Sequence, residues 1–571
     1  MADFIKTQNS FAYGEISPEF FARDDIAGLA HLENMDVTPG GGLTRRAGLT
    51  PIATPDGVGR LIAFSVSEEQ NYLIVLGNKS LWMYDGATCI RSIQTPWNAD
   101  DVSRVQYAQR FGTMIFVHPD FAPQVLRREG SLFTLTEFGF ARNDADMTLN
   151  MPFMKFDDAD GVKITLSAHS SGNNFATLTT NKDFWTADNV GGRLELLGKQ
   201  WVVQSYVDST HVVAYTNGTY TIPSAAVADW REAAFGTRRG WPCSISFHQD
   251  RLVFGGSRAW PSGVWMSQVG RHNNFNVGTG LDDEAIFITL LSQQRQQICT
   301  VVSSDNLQIL TSVGEWAISS KPLTPASVDI KQHTSVGSVA TRYLPPQKIE
   351  GATVFISRSG RDIRELALDE LGENYNARDL CAFAKHMMKT PIDVAYNPDT
   401  RQLFVVMADG DMAVLNQNSA LGISAWARYK TLGQFKSVAV IGGKTYVMVT
   451  RGAAPSIECF DTAAMRDATT VDFAFSASAL PVRASGHGAS RLRLRKITAR
   501  VLNTKALFIN DTRATLPNSV YDAASPGFTG DVCVGMLGTQ HNCSMSPWRI
   551  HGVEPMPATI LSVTMHGRYT V

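Results

Sequence analysis

The chain has 571 residues, of which 44 % are hydrophobic and 18 % charged, a composition typical of a globular protein rather than a disordered one. This length exceeds one ordinary core, so roughly two to four domains are expected. The 51 basic and 53 acidic residues leave a formal net charge of −2. That balance argues against a dedicated nucleic-acid binder, which usually carries a basic domain for phosphate contacts, but it is compatible with a protein past which DNA slides.

Residues 1–50 predict an extended N-terminal arm that serves as a docking segment. A short helix is expected within residues 19–34. The proline and three glycines at positions 39–42 are typical of a flexible hinge.

Residues 51–149 predict the first blades of a β-propeller. Apolar runs at 61–66, 72–76 and 81–84 are separated by polar turns, which is the pattern of short antiparallel strands. Their span of about 25 residues matches one blade of a propeller. A single large sandwich is the structural alternative.

The remaining chain continues this pattern after one interruption. Residues 150–235 break the spacing and predict an inserted small β-barrel, and residues 236–465 predict the remaining blades, about seven irregular blades in all. Within them, apolar positions from Leu380 to Met387 predict a short helix. Residues 466–571 predict a C-terminal β domain. The fold class is therefore mainly β.

The seven cysteines are scattered singly, without a CxxC pair. Most lie in apolar, strand-like runs, so buried reduced thiols of a protein made in a reducing cytoplasm are expected. A pair between Cys533 and Cys543 remains open. The N-terminus lacks a basic stretch followed by an apolar one, and no apolar run approaches the ~20 residues of a membrane helix, so neither a secretion signal nor membrane insertion is expected.

Signatures of catalysis are mostly absent from the sequence. It contains no GxSxG, HExxH, Walker-type GxxxxGK[ST] or strand–GxGxxG–helix motif, and the histidines are dispersed. The closely spaced carboxylates at 157–160 and the glycine after them suit a hard cation, as in a calcium loop, but the later bidentate acid is missing, so we interpret the run as a solvated turn. The acids at 282–284 have no second acidic cluster paired with them, as a glycosidase would need. We expect no enzyme and no cofactor.

A basic alternation stands out at residues 491–496. In a strand, Arg491, Arg493 and Arg495 project from one face, and the intervening leucines project from the other. Such a row of guanidinium groups suits acidic residues of a neighbouring subunit or a phosphate backbone. The alternative is a solvent-facing strand whose arginines prevent edge pairing.

Short patterns of glycines, turns and aromatics also recur in a defined order along the chain. They are residues 11–18, 23, 39–48, 241–242, 247–256, 264–267, 274–275, 307–311, 314–316, 323–325, 379–380, 386, 409–410 and 557–561. This set resembles the tail tubular protein B, or tail nozzle, family of short-tailed bacteriophages and related prophages. The patterns concern architecture and not a reaction.

The resemblance implies a propeller with a platform-like C-terminal domain that assembles as a hexameric ring below the portal and the head-to-tail adaptor. Such a ring extends the conduit for double-stranded DNA, takes part in genome ejection and can hold tail fibres or spikes. It implies a virion protein of the tail, made in the bacterial host cytoplasm. The predicted interface or channel residues are Arg491, Arg493 and Arg495, with Arg45 and Arg46 of the 39–48 stretch.

Two other functions remain open at this point. The first is a propeller enzyme that degrades a host polysaccharide, and the second is a receptor-binding tail protein. Release of sugar would distinguish the enzyme from a nozzle, and cell binding by the isolated chain would indicate the receptor-binding protein.

Overall fold

The computed structural model describes residues 2–23, 25–144, 147–369, 372, 374–452, 454–482, 491–517, 526–536, 540–542 and 545–570. Among these residues, strands predominate and the helices are single 3-10 turns: Pro18–Phe20, Asp101–Arg104, Asp157–Ala159, Ala187–Asn189, Lys385–Met387 and Ser419–Leu421. None of the described helices has the length and apolar character needed to cross a membrane. The chain divides into unit 1, residues 1–95 and 344–571, and unit 2, residues 96–343.

Six four-stranded antiparallel sheets, and four antiparallel strands at the start of an 11-stranded sheet, lie within the described residues. These seven sets of strands confirm the predicted β-propeller class. We number these blades in chain order. Blades 1, 5, 6 and 7 belong to unit 1, and blades 2, 3 and 4 belong to unit 2.

The strands of unit 1 form four of these blades. Blade 1 contains Arg60–Ser65, Asn71–Gly77, Ser80–Asp85 and Thr88–Gln94; blade 5 contains Gln347–Ile349, Ala352–Ile356, Ile363–Leu368 and Tyr375–Asp379; blade 6 contains Pro391–Asn397, Gln402–Met407, Met412–Asn418 and Ile423–Tyr429; blade 7 contains Gln434–Ile441, Lys444–Arg451, Ala454–Asp461 and Gly48–Ala53.

The strands of unit 2 form the other three blades. Blade 2 contains Gln106–Arg110, Thr113–His118, Phe121–Glu129 and Leu132–Glu137; blade 3 contains Ser244–His248, Arg251–Gly255, Gly263–Met266 and Ile286–Thr289; blade 4 contains Ile298–Ser303, Leu307–Thr311, Glu315–Ile318 and Ile330–Thr334.

The middle strands of the blades explain the continuous apolar runs of the sequence. Every residue of Arg251–Gly255, Leu307–Thr311 and Ala352–Ile356 is buried, so these middle strands are covered on both faces, and such strands have continuous apolar runs. Adjacent blades share their cores: Phe404 of blade 6 and Val447 of blade 7 lie in one hydrophobic cluster. The packing of blade against blade therefore replaces the alternating pattern of a half-exposed sheet.

The fourth strand of blade 7 comes from the other end of the sequence. Gly48–Ala53 pairs antiparallel with Ala454–Asp461 and completes the sheet. The prediction that residues 1–50 form an extended arm is wrong, because their strands pair within unit 1 and bury their apolar residues in its core. The stretch 39–42 is the turn of a hairpin between Met35–Val37 and Leu43–Arg45, closed by the Gly41 N–H, which donates to the Thr38 carbonyl at 2.8 Å.

Both ends of the chain also build a two-sheet sandwich, which we call the platform. Its first sheet has the order Phe528–Gly535, Arg491–Thr504, Thr559–Thr570, Leu43–Arg45, Met35–Val37, with Ala2–Gln8 paired to Thr559–Thr570 and Gln540–Asn542 to Arg491–Thr504. Its second sheet continues from blade 6 through His31–Glu33, Phe475–Ser478, Arg549–Gly552, Phe508–Ile509 and Thr512–Arg513, with Gly14–Glu15 and Gly28–Leu29 beside it. Trp548 is fully buried in the core that the two sheets share.

The insertion within unit 2 is a seven-stranded antiparallel sheet. Its strands, in sheet order, are Phe153–Met154, Trp230–Ala233, Arg193–Leu196, Lys199–Asp208, His211–Thr216, Phe175–Thr180 and Ile164–Ala168. Its core contains Trp185, Trp201 and Trp230. The sequence predicted a barrel here, but the strand order is open. An isolated bridge between Ile164 and Val227 links the last strand to the segment before Trp230.

Both predicted helices are wrong. Residues 19–34 contain one 3-10 turn followed by short strands, and only Lys385–Met387 is helical in the 380–387 stretch. The apolar spacing there reflects burial, since Leu380, Ala384 and Met387 are all buried. Phe383 packs edge-on against Tyr13 and Phe20, with ring centroids 5.3 and 5.0 Å away. Tertiary contacts of an irregular segment therefore produced a helix-like pattern.

Candidate functional site

The arginine ladder lies on the exposed face of the first platform sheet. In the 14-residue strand Arg491–Thr504, Leu492 and Leu494 are 2 % and 0 % exposed and enter the platform core, whereas Arg493 and Arg495 face solvent. The side chain of Arg491 lies outside the described residues. The predicted alternation therefore places at least two of the three guanidinium groups on one accessible face.

An irregularity in this strand extends the basic row. The register with Thr559–Thr570 shifts between Leu494 and Lys496, so that Arg495 and Lys496 are both exposed although they are consecutive. Such a bulge adds one residue to one strand and redirects its side chains. Arg568 lies directly opposite Arg493 on the neighbouring strand, and the register between the strands brings these two basic residues together.

This surface, which we call the basic face, carries more positive than negative charge. Its basic residues are Arg493, Arg495, Lys496, Arg500 and Arg568, and its acidic residues are Asp3 and Asp531. Asp3 pairs with Arg568 and lies 3.6 Å from Arg495, and Asp531 lies 3.5 Å from Arg500. Within the described residues, Arg493 and Lys496 form no ion pair. The sheet therefore presents unneutralised cations to whatever lies against it.

The prediction that Arg45 and Arg46 lie at an interface or in a channel is wrong, because both are buried inside unit 1. Arg46 is 1 % exposed and forms a bidentate pair with Asp467, at 2.9 and 2.7 Å. Its guanidinium stacks 3.7 Å from the ring centroid of Phe473. Arg45 donates to the carbonyl oxygens of Phe473 and Met465, and burial lowers the pKa of Arg45 to about 10. Both guanidinium groups are therefore engaged by partners inside unit 1.

A second buried network, centred on Glu15, was missed by the sequence analysis. Glu15 is 1 % exposed and accepts hydrogen bonds from His386 Nε2 at 2.7 Å, Arg428 Nε at 2.9 Å and the Leu32 N–H at 2.9 Å. Burial raises the pKa of Glu15, but hydrogen bonds from His31, His386 and Arg428 outweigh burial and hold that pKa well below its usual range. Glu15 is therefore an ionised anchor.

The hydroxyl of Ser17 extends this network. It lies 2.8 Å from His386 Nδ1, so Ser17, His386 and Glu15 stand in the order of a nucleophile–base–acid relay. Ser17 is only 5 % exposed, and its backbone N–H donates to the Phe383 carbonyl at 2.6 Å. These contacts fasten the N-terminal segment to blade 6 and to the turn before it. The only sequence signal was the 11–18 stretch, and two of its partners, His386 and Arg428, lie hundreds of positions away.

The two acidic loops have structural partners. Asp158 accepts from Arg238 at 2.9 Å and from Arg239 at 3.0 and 2.9 Å. Glu284 accepts the N–H groups of three loop residues, Thr279, Gly280 and Leu281, at 2.6 to 2.8 Å. In the part of the chain that the structure describes, no three His, Cys, Asp or Glu side chains are grouped to hold a metal ion.

The cysteines in the described ranges are free thiols. Cys381 and Cys459 are buried, Cys243 and Cys299 are half-buried, and Cys89 and Cys533 are exposed. Cys543 lies outside the described residues, so whether Cys533 pairs with it stays open.

No protein-family model matches this chain, and no curated protein matches it either. Among solved structures it is similar to the computationally designed Ika8 protein, with 9 % identity and a TM-score of 0.35 over 72 % of this chain and 99 % of that one. BamB from Moraxella catarrhalis is 11 % identical, with a TM-score of 0.32 over 72 % of this chain and 98 % of that one. The Pan2 WD40 domain from Neurospora crassa is 9 % identical, with a TM-score of 0.26 over 63 % of this chain and 88 % of that one. These similarities carry no information on function, and the sheets themselves define the chain as a β-propeller protein.

Proposed function

We propose that this chain is a structural protein of a bacteriophage tail, a subunit of a hexameric nozzle ring that extends the DNA conduit below the portal and adaptor. The observation that supports it most directly is the basic face of the platform. The order of the short sequence patterns along the chain supports the same role.

The basic face has the chemistry of a contact surface. Neighbouring strands lie ~4.8 Å apart, so Arg493 and Arg568 present adjacent guanidinium groups, and Lys496 adds a further cation one residue beyond the bulge. Guanidinium groups form strong, directional contacts with carboxylates and phosphates. In a ring, this face contacts either acidic residues of the next subunit or the phosphates of passing DNA.

The modest size of the charge excess agrees with transport rather than tight binding. A few exposed cations are screened beyond ~8 Å at physiological salt, and DNA affinity scales with the number of phosphates neutralised. DNA that must move through a conduit is better served by a few weak contacts than by many strong ones. The low overall charge of the chain is in line with this requirement.

Imaging and a triple substitution test this function. Negative-stain microscopy of the purified chain, alone and mixed with the adaptor, should show a six-fold ring with a central hole. Changing Arg491, Arg493 and Arg495 to serine should reduce the fraction of rings or the rate of genome ejection. A control with the same charge change, at three exposed arginines of unit 1 and unit 2 blades, should leave both unchanged; these are Arg91, Arg127 and Arg378.

Two outcomes would contradict the proposal. If the triple variant assembles and ejects like the parent, the basic face has no part in either. If the chain stays monomeric with the adaptor present and releases sugar from host polysaccharide, it is a propeller enzyme.

A further inference from the structure

Unit 2 contains a cavity of about 480 Å³ that the nozzle function does not use. It lies where the first strands of blades 2, 3 and 4 begin, and those strands are neighbours. Gln106 opens the first strand of blade 2, Cys243 precedes that of blade 3, and Ile298 opens that of blade 4; all three line the cavity. Its volume is in the range of small-molecule sites.

The cavity wall is strongly basic. Arg104, Arg258, Arg295 and Arg342 line it, with Asp120 as the single acidic lining residue. Asp120 lies 3.1 Å from Arg104 and 3.6 Å from Arg258, so two guanidinium groups share one carboxylate. Positive charge therefore exceeds negative charge around the cavity, which favours an anionic ligand.

Two buried amides contribute further polar groups to the wall. Gln106 and Gln296 are each only 6 % exposed and line the cavity. The Oε1 of Gln296 accepts from Thr311 Oγ1 and Trp316 Nε1, both at 3.2 Å, which leaves its Nε2 without a partner among the described residues. The Nε2 of Gln106 donates to the Cys299 carbonyl at 2.6 Å, and its Oε1 has no partner there.

These unused groups form one donor and one acceptor. Both atoms are buried from solvent, and buried polar atoms in folded proteins nearly always have partners. Turning each amide toward the cavity would let one ligand accept from Gln296 and donate to Gln106. A fully deprotonated inorganic anion, such as sulfate, has acceptors only and cannot do this. The edge of a nucleobase carries both kinds of group.

An aromatic ring completes the set. Tyr343 lines the cavity, and its ring packs edge-on against Tyr107 with centroids 6.0 Å apart. Its backbone N–H donates to the Ser103 carbonyl at 2.8 Å. Bases stack on aromatic side chains held in this manner.

We propose that this cavity binds a nucleoside phosphate, with the phosphate at the arginines and the base at Gln106, Gln296 and Tyr343. The ligand is either a free nucleotide or the phosphorylated end of a nucleic-acid strand, which have the same chemistry. The site lies wholly in unit 2 and does not depend on ring formation or on the basic face, so it can fail without affecting the proposed function.

Calorimetry on the purified full chain tests the site with dATP, pyrophosphate, deoxyadenosine and a 5′-phosphorylated oligonucleotide. We expect dATP to bind at least ~10-fold more tightly than pyrophosphate or deoxyadenosine, because it uses both halves of the site. Tight binding of the oligonucleotide as well would identify a strand end as the ligand, and binding of dATP alone would identify a free nucleotide.

Arg295→Glu should weaken dATP binding by ~10-fold or more, since it reverses one charge at the wall. Arg295 is exposed, so folding should be unaffected. Arg127→Glu makes the same change at an exposed position on the third strand of blade 2 and should bind like the parent. Equal weakening by both variants, binding of pyrophosphate as tight as dATP, or binding of polyglutamate but not dATP would overturn the proposal.

Discussion

Replacing Glu15 by Gln tests the buried network that holds the N-terminal segment in place. The amide has the size of the carboxylate, but one of its ends is an NH2 group. Whichever way it turns, that group faces a donor, either the Leu32 N–H or Arg428 Nε, both now 2.9 Å from a carboxylate oxygen. Breaking a buried ion pair costs about 3–5 kcal/mol, and because Arg428 is 27 % exposed we expect the lower end, about 3 kcal/mol.

The stability difference between parent and variant should depend on pH in a known direction. A simple packing defect would give a difference that does not depend on pH. The pKa of Glu15 is lower in the folded chain than its usual value, so its contribution is present above the unfolded pKa of ~4.3 and is lost as pH falls toward the folded pKa. Glutamine does not titrate. The stability difference between parent and variant should therefore shrink by about 1.8 kcal/mol between pH 7 and pH 3.

Urea unfolding followed by circular dichroism measures this difference. A chain with two units needs each transition fitted with its own slope. Glu68→Gln, at an exposed turn of blade 1, is the matched control and should change stability by less than ~0.5 kcal/mol. A loss below ~1 kcal/mol for Glu15→Gln, or an equal loss at both pH values, would refute this account of the network.

Two further predictions concern the chain termini and the thiols. Deleting residues 1–53 removes the fourth strand of blade 7 and strands of both platform sheets, so we expect an aggregated or unfolded product by size exclusion and circular dichroism; a folded, soluble product would show that the segment is dispensable. Exposed Cys89 and Cys533 should react with a thiol reagent at pH 8 well before Cys243 and Cys299, because burial raises the pKa of the latter two to about 11 and 12. Cys89→Ser should lower the fast amplitude and Cys243→Ser should not.

The blades were predictable because their signal is local. Runs such as 72–76 bury almost every residue, and a polar turn precedes or follows each of them, so strand and turn could be read from a few adjacent positions. The same dependence on adjacent positions explains why the helix predicted at 380–387 was wrong. Burial at i, i+4 and i+7 produces the same pattern in an irregular segment as in a helix, and short windows do not separate the two.

The role of residues 1–50 was not predictable by that route. Gly14 has φ +61°, and a Cβ there would lie 2.3 Å from the Trp426 carbonyl oxygen, so this glycine permits close strand contact and not flexibility. The glycines at 39–42 were interpreted as a hinge from their residue type alone. Glycine content reports an unusual backbone, and only the contacts show whether that backbone is mobile or tightly packed.

For the charged residues as well, the sequence predicts the local pattern, and only the fold shows their burial and their partners. Period-two alternation of Arg and Leu at 492–495 is enough to assign opposite faces, because side chains of a strand alternate regardless of the rest of the molecule. Arg45 and Arg46 show no such pattern, and their burial against Asp467 and Phe473 depends on chain segments more than 400 positions away. The contact between Glu15 and Arg428 and the bulge at Arg495 likewise arise from long-range strand pairing. Local order follows from neighbouring residues, whereas burial and charge pairing follow from which distant segments the folded core brings together.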